Sequence, residues 1–458
     1  MLDSRLIRAE PARVRAGLAR RGATPDALDR ATDLDARWTA RDALADALRL
    51  RRRRAAEEVR RAKTAGEPTG DLERLARQVA EELREVERDL ARLRARRDRA
   101  LGDLPNLPAP EVPEETAVLD APPSTLRRGA LAHWDLIRIL DLARPAEASA
   151  GRGFLIWRDA GERLLRALEA FMLDLHAREF GYTPVRCPAV ATRAALEGSA
   201  HLPALEAKMY ALFESGAEAP GQPQSAVARA RAENVTGGSR RRLEEGAGLF
   251  LVPRAEPHLA NLFRGQILEA DAMPLRFVAA GPALRREADH GGAKGRGLLR
   301  LHEFPTVEVY AFSRPETGEA ELDHAVDAAT QVLARLGLAQ RRLLRGARRL
   351  SLAAAKTIDL EVWAAGMGEW LGVAAVSTFT DYQSRRTRTR YRGADGKARL
   401  VHTVGGAAVA LPHLVAALLE NGQESDGSVR LPDALGPYLG GEGLLHPPKP
   451  PEASGTNG

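Results

Sequence analysis

Hydrophobic residues recur every seven positions near the start of the chain. One run is formed by Leu72, Val79, Val86, Leu93 and Ala100, with Leu75, Ala76, Leu83 and Leu90 in the adjoining positions. An earlier run keeps a similar spacing through Leu34, Trp38, Ala45, Leu48, Ala55, Val59 and Ala62. Because a seven-residue apolar period forms the seam between packed helices, the pattern predicts two long helices within residues 33–102.

The segment between these helices, residues 64–71, contains two glycines and one proline, a composition typical of a turn. Two helices joined by so short a turn must run antiparallel. Helices of about 32 residues, at about 1.5 Å per residue, give a hairpin roughly 50 Å long. The hairpin has no second apolar face, so we expect it to project from the rest of the protein.

The remainder of the chain has a mixed α/β pattern. Proline and acidic residues predict a linker over 106–123, which separates an N-terminal domain (1–105) from a larger domain (124–441). Amphipathic spacing predicts a helix over 161–181, and further helices are expected near 318–336 and 413–421. Strands are predicted over 275–281, 306–312, 358–365 and 399–406.

Two segments lack any apolar period. Residues 215–248 are rich in Gly, Ala, Ser and Arg, which predicts an inserted loop. Residues 442–458 are rich in Pro and Gly, which predicts a disordered tail.

Positive charge is concentrated in the N-terminal segment. The formal net charge is +6, and residues 1–100 hold 26 basic against 19 acidic residues, whereas the rest hold 42 against 43. A localised basic element favours a polyanionic partner, through phosphate attraction and counterion release. The alternative is a solvated, arginine-rich helix surface. The candidate phosphate contacts on the first helix are Arg51, Arg52, Arg53, Arg54, Arg60 and Arg61.

Composition excludes several classes of protein. The single cysteine, Cys187, excludes an intramolecular disulfide and favours a reducing, cytoplasmic location. No run approaches the roughly 18 apolar residues of a membrane span, and the first residues lack the apolar core of a signal peptide. Neither an HExxH motif nor a Cys/His cluster is present, so no metal site is predicted.

Several longer segments resemble bacterial seryl-tRNA synthetases, which are class II aminoacyl-tRNA synthetases. They are MLDSRLIRAEPARVRAGLARRG (1–22), FMLDLHAREFGYTPV (171–185), GRGLLRLHEFPTVEVYAF (295–312), SLAAAKTIDLEVW (351–363), TDYQSRRTRTRYR (380–392) and ENGQESDGSVRLPDALGPYLGG (420–441). The resemblance runs almost end to end, except for the 215–248 insertion and the tail. It implies an α+β fold with an antiparallel sheet flanked by helices. It also implies a homodimer formed through residues 161–188, and a helical arm that binds serine tRNA.

The resemblance also implies contacts with ATP in the stretch RREADHGGAKGRGLLRLHEF (285–304). Arg285 corresponds to the arginine that contacts the α-phosphate and the substrate carboxylate, and would be the catalytic cation. Glu287 corresponds to an acid near adenine, Phe304 to the ring stacked on adenine, and Arg300 is a further cation in register. Glu361, within DLEVW, corresponds to an acid near the nucleotide.

At the amino-acid pocket the chain only partly follows the family pattern. Glu256 and Glu308 correspond to acids that face the substrate's ammonium group. Arg254, however, replaces the threonine of the family's Thr-Ala-Glu. The magnesium-binding run Glu-Ile-Ser-Ser is replaced by GVAA, with Gly372, Ala374 and Ala375 in place of Glu and the two Ser. No carboxylate or hydroxyl remains in this run to bind a hard cation, so magnesium is not expected there.

The third family motif, Asn-Gly-Ser-Gly followed by an arginine on the triphosphate, is also altered. Gly405 and Ala407 replace its Asn and Ser, and His413 replaces the arginine. A proline precedes His413, but proline is tolerated in the first turn of a helix, so we expect the helix itself to persist.

These replacements leave three functional hypotheses. The first is a divergent paralogue that binds tRNA and ATP but has lost or altered serine activation, because each missing electrostatic donor removes about 3–4 kcal/mol of transition-state stabilisation. The second is a working serine–tRNA ligase with compensating contacts from arginines of the insertion. The third is a ligase for another amino acid, since Ala374, Ala375, Ala407 and Ala408 beside Arg254 would suit a substrate without serine's hydroxyl.

Overall fold

The computed structural model describes residues 1–120, 126–212, 248–287 and 296–448. The chain divides into two compact units, residues 1–108 and 109–458. The helices are α1 Ser4–Ala9, α2 Pro11–Arg20, α3 Pro25–Ala65, α4 Gly70–Asp103, α5 His133–Ile139, α6 Asp159–Glu179, α7 Arg193–Gly198, α8 Glu256–Leu259, α9 Gly318–Arg335, α10 Tyr382–Thr387 and α11 Leu411–Asn421. The strands are β1 Ala117–Val118, β2 Ala143–Pro145, β3 Leu155–Trp157, β4 Thr183–Val185, β5 Val190–Thr192, β6 Ala211–Leu212, β7 Leu249–Leu251, β8 Ile267–Glu269, β9 Leu275–Leu284, β10 Glu303–Ser313, β11 Gln340–Leu344, β12 Lys356–Ala364, β13 Glu369–Thr380, β14 Arg390–Arg392, β15 Ala398–Leu400, β16 His402–Ala410, β17 Val429–Arg430 and β18 Leu444–Leu445.

The first unit is built around α3 and α4, which form the predicted antiparallel hairpin. Helix α3 ends at Gly66, whose positive φ of 69° lets its N–H bond back to the carbonyls of Ala62 and Lys63. The antiparallel direction is evident from the ion pairs between the two helices, Arg41–Asp89, Arg49–Glu87 and Lys63–Glu73. Helix α3 begins at Pro25, eight residues before the predicted start.

The predicted seam forms the core of this hairpin. The buried cluster consists of Ala45, Leu48, Val79, Leu83 and Val86, with Leu90 packed against it. The prediction was wrong for Leu75, which is 37% exposed. Its neighbour Ala76 precedes Val79 by three residues and continues the seam, so Leu75 falls to one side of it.

The second unit contains an eight-stranded sheet with the strand order β1-β11-β12-β13-β16-β10-β9-β4. Every pairing in this sheet is antiparallel except that of β4 with β9. The antiparallel, helix-flanked architecture predicted for a class II synthetase is therefore present. The strands and helices predicted in this unit are confirmed, although the 399–406 strand is interrupted and becomes β15 and β16.

The predicted linker and the predicted disordered tail each contain a short strand that was not predicted. Strand β1 lies in the predicted linker and pairs with β11 at the edge of the large sheet. Strand β18 lies in the predicted tail and pairs with β17, where Leu445 is buried because it joins the main hydrophobic core. The insertion predicted over 215–248 lies outside the described residues except for Gly248, as does the tail beyond residue 448.

Helices α6, α9 and α11 cover one face of the large sheet and enclose its hydrophobic core. Side chains alternate along β10, so Val307, Val309 and Ala311 enter this core while Glu308 and Tyr310 point to the opposite face. Short helices α7, α8 and α10 lie on that opposite side. Within the described part of the chain, no helix combines the length and apolar character needed to cross a membrane.

Candidate active site

A row of paired residues crosses the middle of the sheet on the face opposite the core. Glu308 on β10 pairs with Ala407 on β16, which pairs with Ala375 on β13. Directly paired residues project to the same side of a sheet. Glu308 therefore lies on the same face as two apolar positions that the sequence marked as altered.

Arg254 binds both acids predicted to face the substrate. Its Nε donates to Glu308 Oε1 at 2.9 Å, and its Nη1 lies 3.3 Å from Glu256 Oε2. The second oxygen of Glu308 accepts the backbone N–H of Glu256, also at 2.9 Å. Both carboxylates are buried, at 4% exposure for Glu256 and 1% for Glu308. The structure thus brings the three predicted pocket residues together, and the guanidinium of Arg254 is hydrogen-bonded to both carboxylates.

Gln383 on α10 holds the other side of Glu256. Its amide Nε2 donates to Glu256 Oε1 at 2.7 Å and to the carbonyl of Ser199 at 3.0 Å. Its Oε1 accepts from the hydroxyl of Tyr310 at 2.6 Å and from Thr403 at 3.3 Å. Gln383 lies within a segment that resembled the family, but no residue type or spacing marked it as a hub.

His201 is a second residue that sequence reasoning missed. Its Nδ1 lies 2.9 Å from the Ser199 hydroxyl, and the side chain is buried. Burial, and next the nearby guanidinium groups of Arg254 and Arg285, lower the pKa of His201 to about 3. The imidazole is therefore neutral near pH 7. A lone histidine between Ala200 and Leu202 gives no sequence signal for such a position.

Arg285, the predicted catalytic cation, follows β9 and lies beside this cluster. Its Nε donates to the carbonyl of Pro253 at 3.2 Å, and it forms no ion pair within the described residues. Burial and the charge of Arg254 lower the pKa of the Arg285 guanidinium. Arg300 pairs with Glu287 at 3.3 Å, so these two predicted ATP contacts also lie together.

Phe304 and Glu361, the other predicted ATP contacts, have protein partners of their own. Phe304 is the second residue of β10 and packs against the main hydrophobic core. Glu361 on β12 accepts from Arg341 on β11 at 2.8 Å, and Arg341 also lies over the ring of Trp370. The loop between Glu287 and Arg296 lies outside the described residues.

Comparisons with known proteins cover both units. Residues 1–108 match the seryl-tRNA synthetase N-terminal domain, and residues 241–422 match the tRNA synthetase class II core domain (G, H, P, S and T). The chain is 39% identical over 454 residues to the serine–tRNA ligase of Gemmatimonas aurantiaca, covering 96% of this chain and 99% of that one. This chain belongs to the seryl-tRNA synthetase family.

Other members of the seryl-tRNA synthetase family agree with this assignment. The serine–tRNA ligase of Acidithiobacillus ferrooxidans is 36% identical, covering 96% of this chain and 99% of that one. The crystal structure of the Pyrococcus horikoshii seryl-tRNA synthetase complexed with ATP matches with a TM-score of 0.82 and 29% identity, covering 98% of this chain and 100% of that one. The class II fold predicted from the sequence is confirmed.

The positions that depart from the seryl-tRNA synthetase pattern do not all reach the site. Ala374 pairs with Leu360 and packs in the hydrophobic core, so its assignment to the pocket was wrong. Gly372 pairs with Glu361 across a β-bulge. Gly372 offers only backbone atoms, and Ala374 adds only a methyl group. The described residues contain no group of three His, Cys, Asp or Glu side chains that could hold a metal ion.

Gly405 is adapted to an aromatic neighbour. A side-chain carbon at this position would lie 2.6 Å from Cδ2 of Tyr310, which is too close for real atoms. Tyr310 is 1% exposed and is bound to Gln383. The ring therefore occupies the space that a side chain at position 405 would need.

His413 connects the start of α11 to two other segments. Its Nδ1 lies 2.7 Å from the carbonyl oxygen of Gly372, and its Nε2 lies 3.2 Å from the carbonyl oxygen of Leu299. The predicted helix persists with Pro412 in its first turn. His413 is therefore engaged with backbone groups.

The six candidate phosphate contacts lie on α3. All six side chains are exposed, and none of them has an ion-pair partner among the described residues. They are Arg51, Arg52, Arg53, Arg54, Arg60 and Arg61. Two other arginines of the hairpin are paired with acids of the other helix, Arg41 with Asp89 and Arg49 with Glu87.

Proposed function

We propose that this chain is a seryl-tRNA synthetase family member that binds a serine-type tRNA and an adenine nucleotide but does not activate serine at the rate of a ligase. The proposal includes assembly as a homodimer through residues 161–188. The observation that carries it is the packing of Tyr310 against Gly405, together with the apolar positions Ala375 and Ala407. Gly405, Ala375 and Ala407 have no side-chain oxygen or nitrogen that could bind the hydroxyl of serine or a hard metal ion.

The expected loss of rate follows from the missing groups. Burying the serine hydroxyl without a hydrogen-bond partner weakens its binding by about 1–3 kcal/mol. A missing electrostatic donor at the transition state raises the activation free energy by about 3–4 kcal/mol. One loss of each kind amounts to roughly 5 kcal/mol, or about 10⁴-fold in rate. The preserved core and the paired site residues support a folded protein that retains binding.

Serine-dependent exchange of pyrophosphate into ATP tests this proposal directly. The purified full-length chain is compared with the Gemmatimonas aurantiaca ligase at equal concentration, over a panel of amino acids. We expect exchange with serine to be at least about 10³-fold slower than in the control. Exchange within tenfold of the control would refute the proposal.

A second candidate function is serine–tRNA ligase activity itself. It is favoured by the 39% identity to a serine–tRNA ligase across 96% of this chain. The same exchange assay separates the two functions, and aminoacylation of a serine tRNA transcript provides the second readout. Rapid formation of seryl-tRNA would establish the ligase.

Binding of tRNA is assigned to the exposed arginines of α3. Replacing Arg51, Arg54 and Arg61 with alanine removes three cations that have no ion-pair partner. If each contacts a phosphate, the slope of log K against log salt should fall by about 0.7–0.9 per contact. The control is Arg74→Ala on α4, because Arg74 is also exposed but is paired with Asp71.

The measurement is filter binding of a serine tRNA transcript and a non-serine transcript, at several salt concentrations. We expect the triple variant to lose affinity with its helicity unchanged, and the Arg74→Ala control to bind as the wild type does. Equal affinity of the triple variant and the wild type would exclude this face of α3.

A further inference from the structure

Each carboxylate oxygen of the two buried acids already accepts one hydrogen bond from the protein. Arg254 donates to one oxygen of Glu308, and the backbone N–H of Glu256 donates to the other. One oxygen of Glu256 accepts from Gln383, and the other lies 3.3 Å from Arg254 Nη1. Because every carboxylate oxygen already has a donor from the protein, an incoming donor would have to share or displace one of these bonds.

The charges of the cluster are balanced before any ligand binds. Arg254 and Arg285 supply two positive charges, and the acids Glu256 and Glu308 supply two negative charges. Arg254 takes both acids, at 2.9 Å and 3.3 Å. Arg285 is left with one backbone carbonyl at 3.2 Å. Arg285 is therefore the charged side chain of this cluster that has no direct ion pair among the described residues.

An incoming ammonium group would meet this arrangement unfavourably. It would have to compete with Arg254 for the buried acids, and it would lie next to a guanidinium. Like charges placed together at a binding site oppose binding strongly. An oxyanion, in contrast, would pair with Arg285, since guanidinium groups bind carboxylates and phosphates in a forked geometry.

We propose that Arg254 is a resident counterion that takes the place of a substrate ammonium, so that the pocket rejects α-amino acids and binds adenine nucleotides whose oxyanion carries no amino group. This inference rests on the proposed function, because it names the ligand class of the same site. It also disfavours a ligase for a different α-amino acid, since every such substrate has the same ammonium.

Two non-hydrolysable probes that differ by one group test the inference. One is 5′-O-(N-(L-seryl)sulfamoyl)adenosine, and the other is its 3-hydroxypropionyl counterpart, which lacks only the amino group. Titration calorimetry on the full-length wild-type chain should give at least about tenfold tighter binding of the probe without the amino group. Equal or tighter binding of the seryl probe, or binding of neither probe, would overturn the inference.

Substitutions at Arg254 provide the second arm. Arg254→Thr frees both acids, so the preference should reverse in favour of the seryl probe. Arg254→Lys is the matched control, because it keeps a cation near the acids and should keep the wild-type preference. If Arg254→Thr does not fold, the wild-type comparison still decides the question.

The exchange assay keeps the two proposals apart. Fast serine-dependent exchange would refute the proposed function. No exchange, combined with tighter binding of the seryl probe by the wild type, would refute only the inference about Arg254.

Discussion

Gly405 offers the most direct test of how the site is packed. A methyl group at this position would lie 2.6 Å from Tyr310 Cδ2 and 3.0 Å from the carbonyl oxygen of Val309. Tyr310 has little room to move, because it is buried, its hydroxyl is bound to Gln383, and its ring packs edge-on against Phe312 at 5.1 Å. Gly405→Ala should therefore lower the unfolding free energy by about 2–3 kcal/mol, the upper part of the range for an overpacked core.

Removing the ring should relieve most of this penalty. Tyr310→Leu destabilises the protein by itself, but in that background Gly405→Ala should cost only about 1 kcal/mol, because the Val309 carbonyl remains. The coupling between the two positions should then be at least about 1 kcal/mol. Tyr310→Phe is the matched control, since it removes only the hydroxyl and should leave the coupling near zero.

Urea unfolding followed by tryptophan fluorescence measures these differences. Four of the five tryptophans, at 134, 157, 363 and 370, belong to the second unit. Gly406→Ala provides a further control, because a side chain there would strike the backbone oxygen of Ala375 and no change at Tyr310 can relieve that. A neutral Gly405→Ala, or an undiminished effect in the Tyr310→Leu background, would refute the packing argument.

Three further predictions concern buried polar groups. Burial lowers the pKa of His201 to about 3, so between pH 6.5 and pH 3 only the unfolded chain takes up a proton at this histidine. The unfolding free energy should therefore fall by up to about 1.4 kcal/mol for each pH unit in that range. In His201→Gln, the urea midpoint should depend less on pH between pH 7.5 and 5.5 than it does in the wild type. Burial raises the pKa of Glu420, but hydrogen bonds from His133 and from backbone N–H groups outweigh burial, and the net pKa is lowered. The stability that Glu420 contributes above its unfolded pKa should therefore be lost as the pH falls through the lower folded pKa. In acid unfolding, Glu420→Gln should lose less stability than the wild type does. Asp35 is buried and paired with Arg8, whose side chain is half exposed, so Asp35→Asn should destabilise the first unit by about 1–2 kcal/mol, read as helix content at 222 nm during unfolding.

Local patterns were sufficient to predict the hairpin and several of the long elements, but not strands β11 and β13, and partners distant in sequence were not predictable. The hairpin follows from a seven-residue period, and β10 follows from alternation, so both needed only neighbouring residues. Arg254 and Glu308 are 54 positions apart, and nothing local relates them. The same is true of Glu361, which looked available for a nucleotide until folding placed Arg341 beside it. The resemblance to the family indicated which residues lie at the site, but their hydrogen-bond and ion-pair partners could be identified only from the structure.

The residues of the site fit one another along a chain of contacts that runs from Gly405 to Arg254. Gly405 gives room to Tyr310, Tyr310 donates to Gln383, and Gln383 donates to Glu256. Glu256 in turn lies beside Arg254. Unselected loss would be expected to leave buried polar atoms without partners, and among the described residues none of these five has such an atom. Because a fully satisfied polar network resists change at any one member, a single reversion should destabilise the pocket before it restores chemistry. On the proposed function, recovery of serine activation would require changes at Arg254, Gly405 and Tyr310 as well as at Ala375 and Ala407, whose methyl groups offer no hydrogen bond.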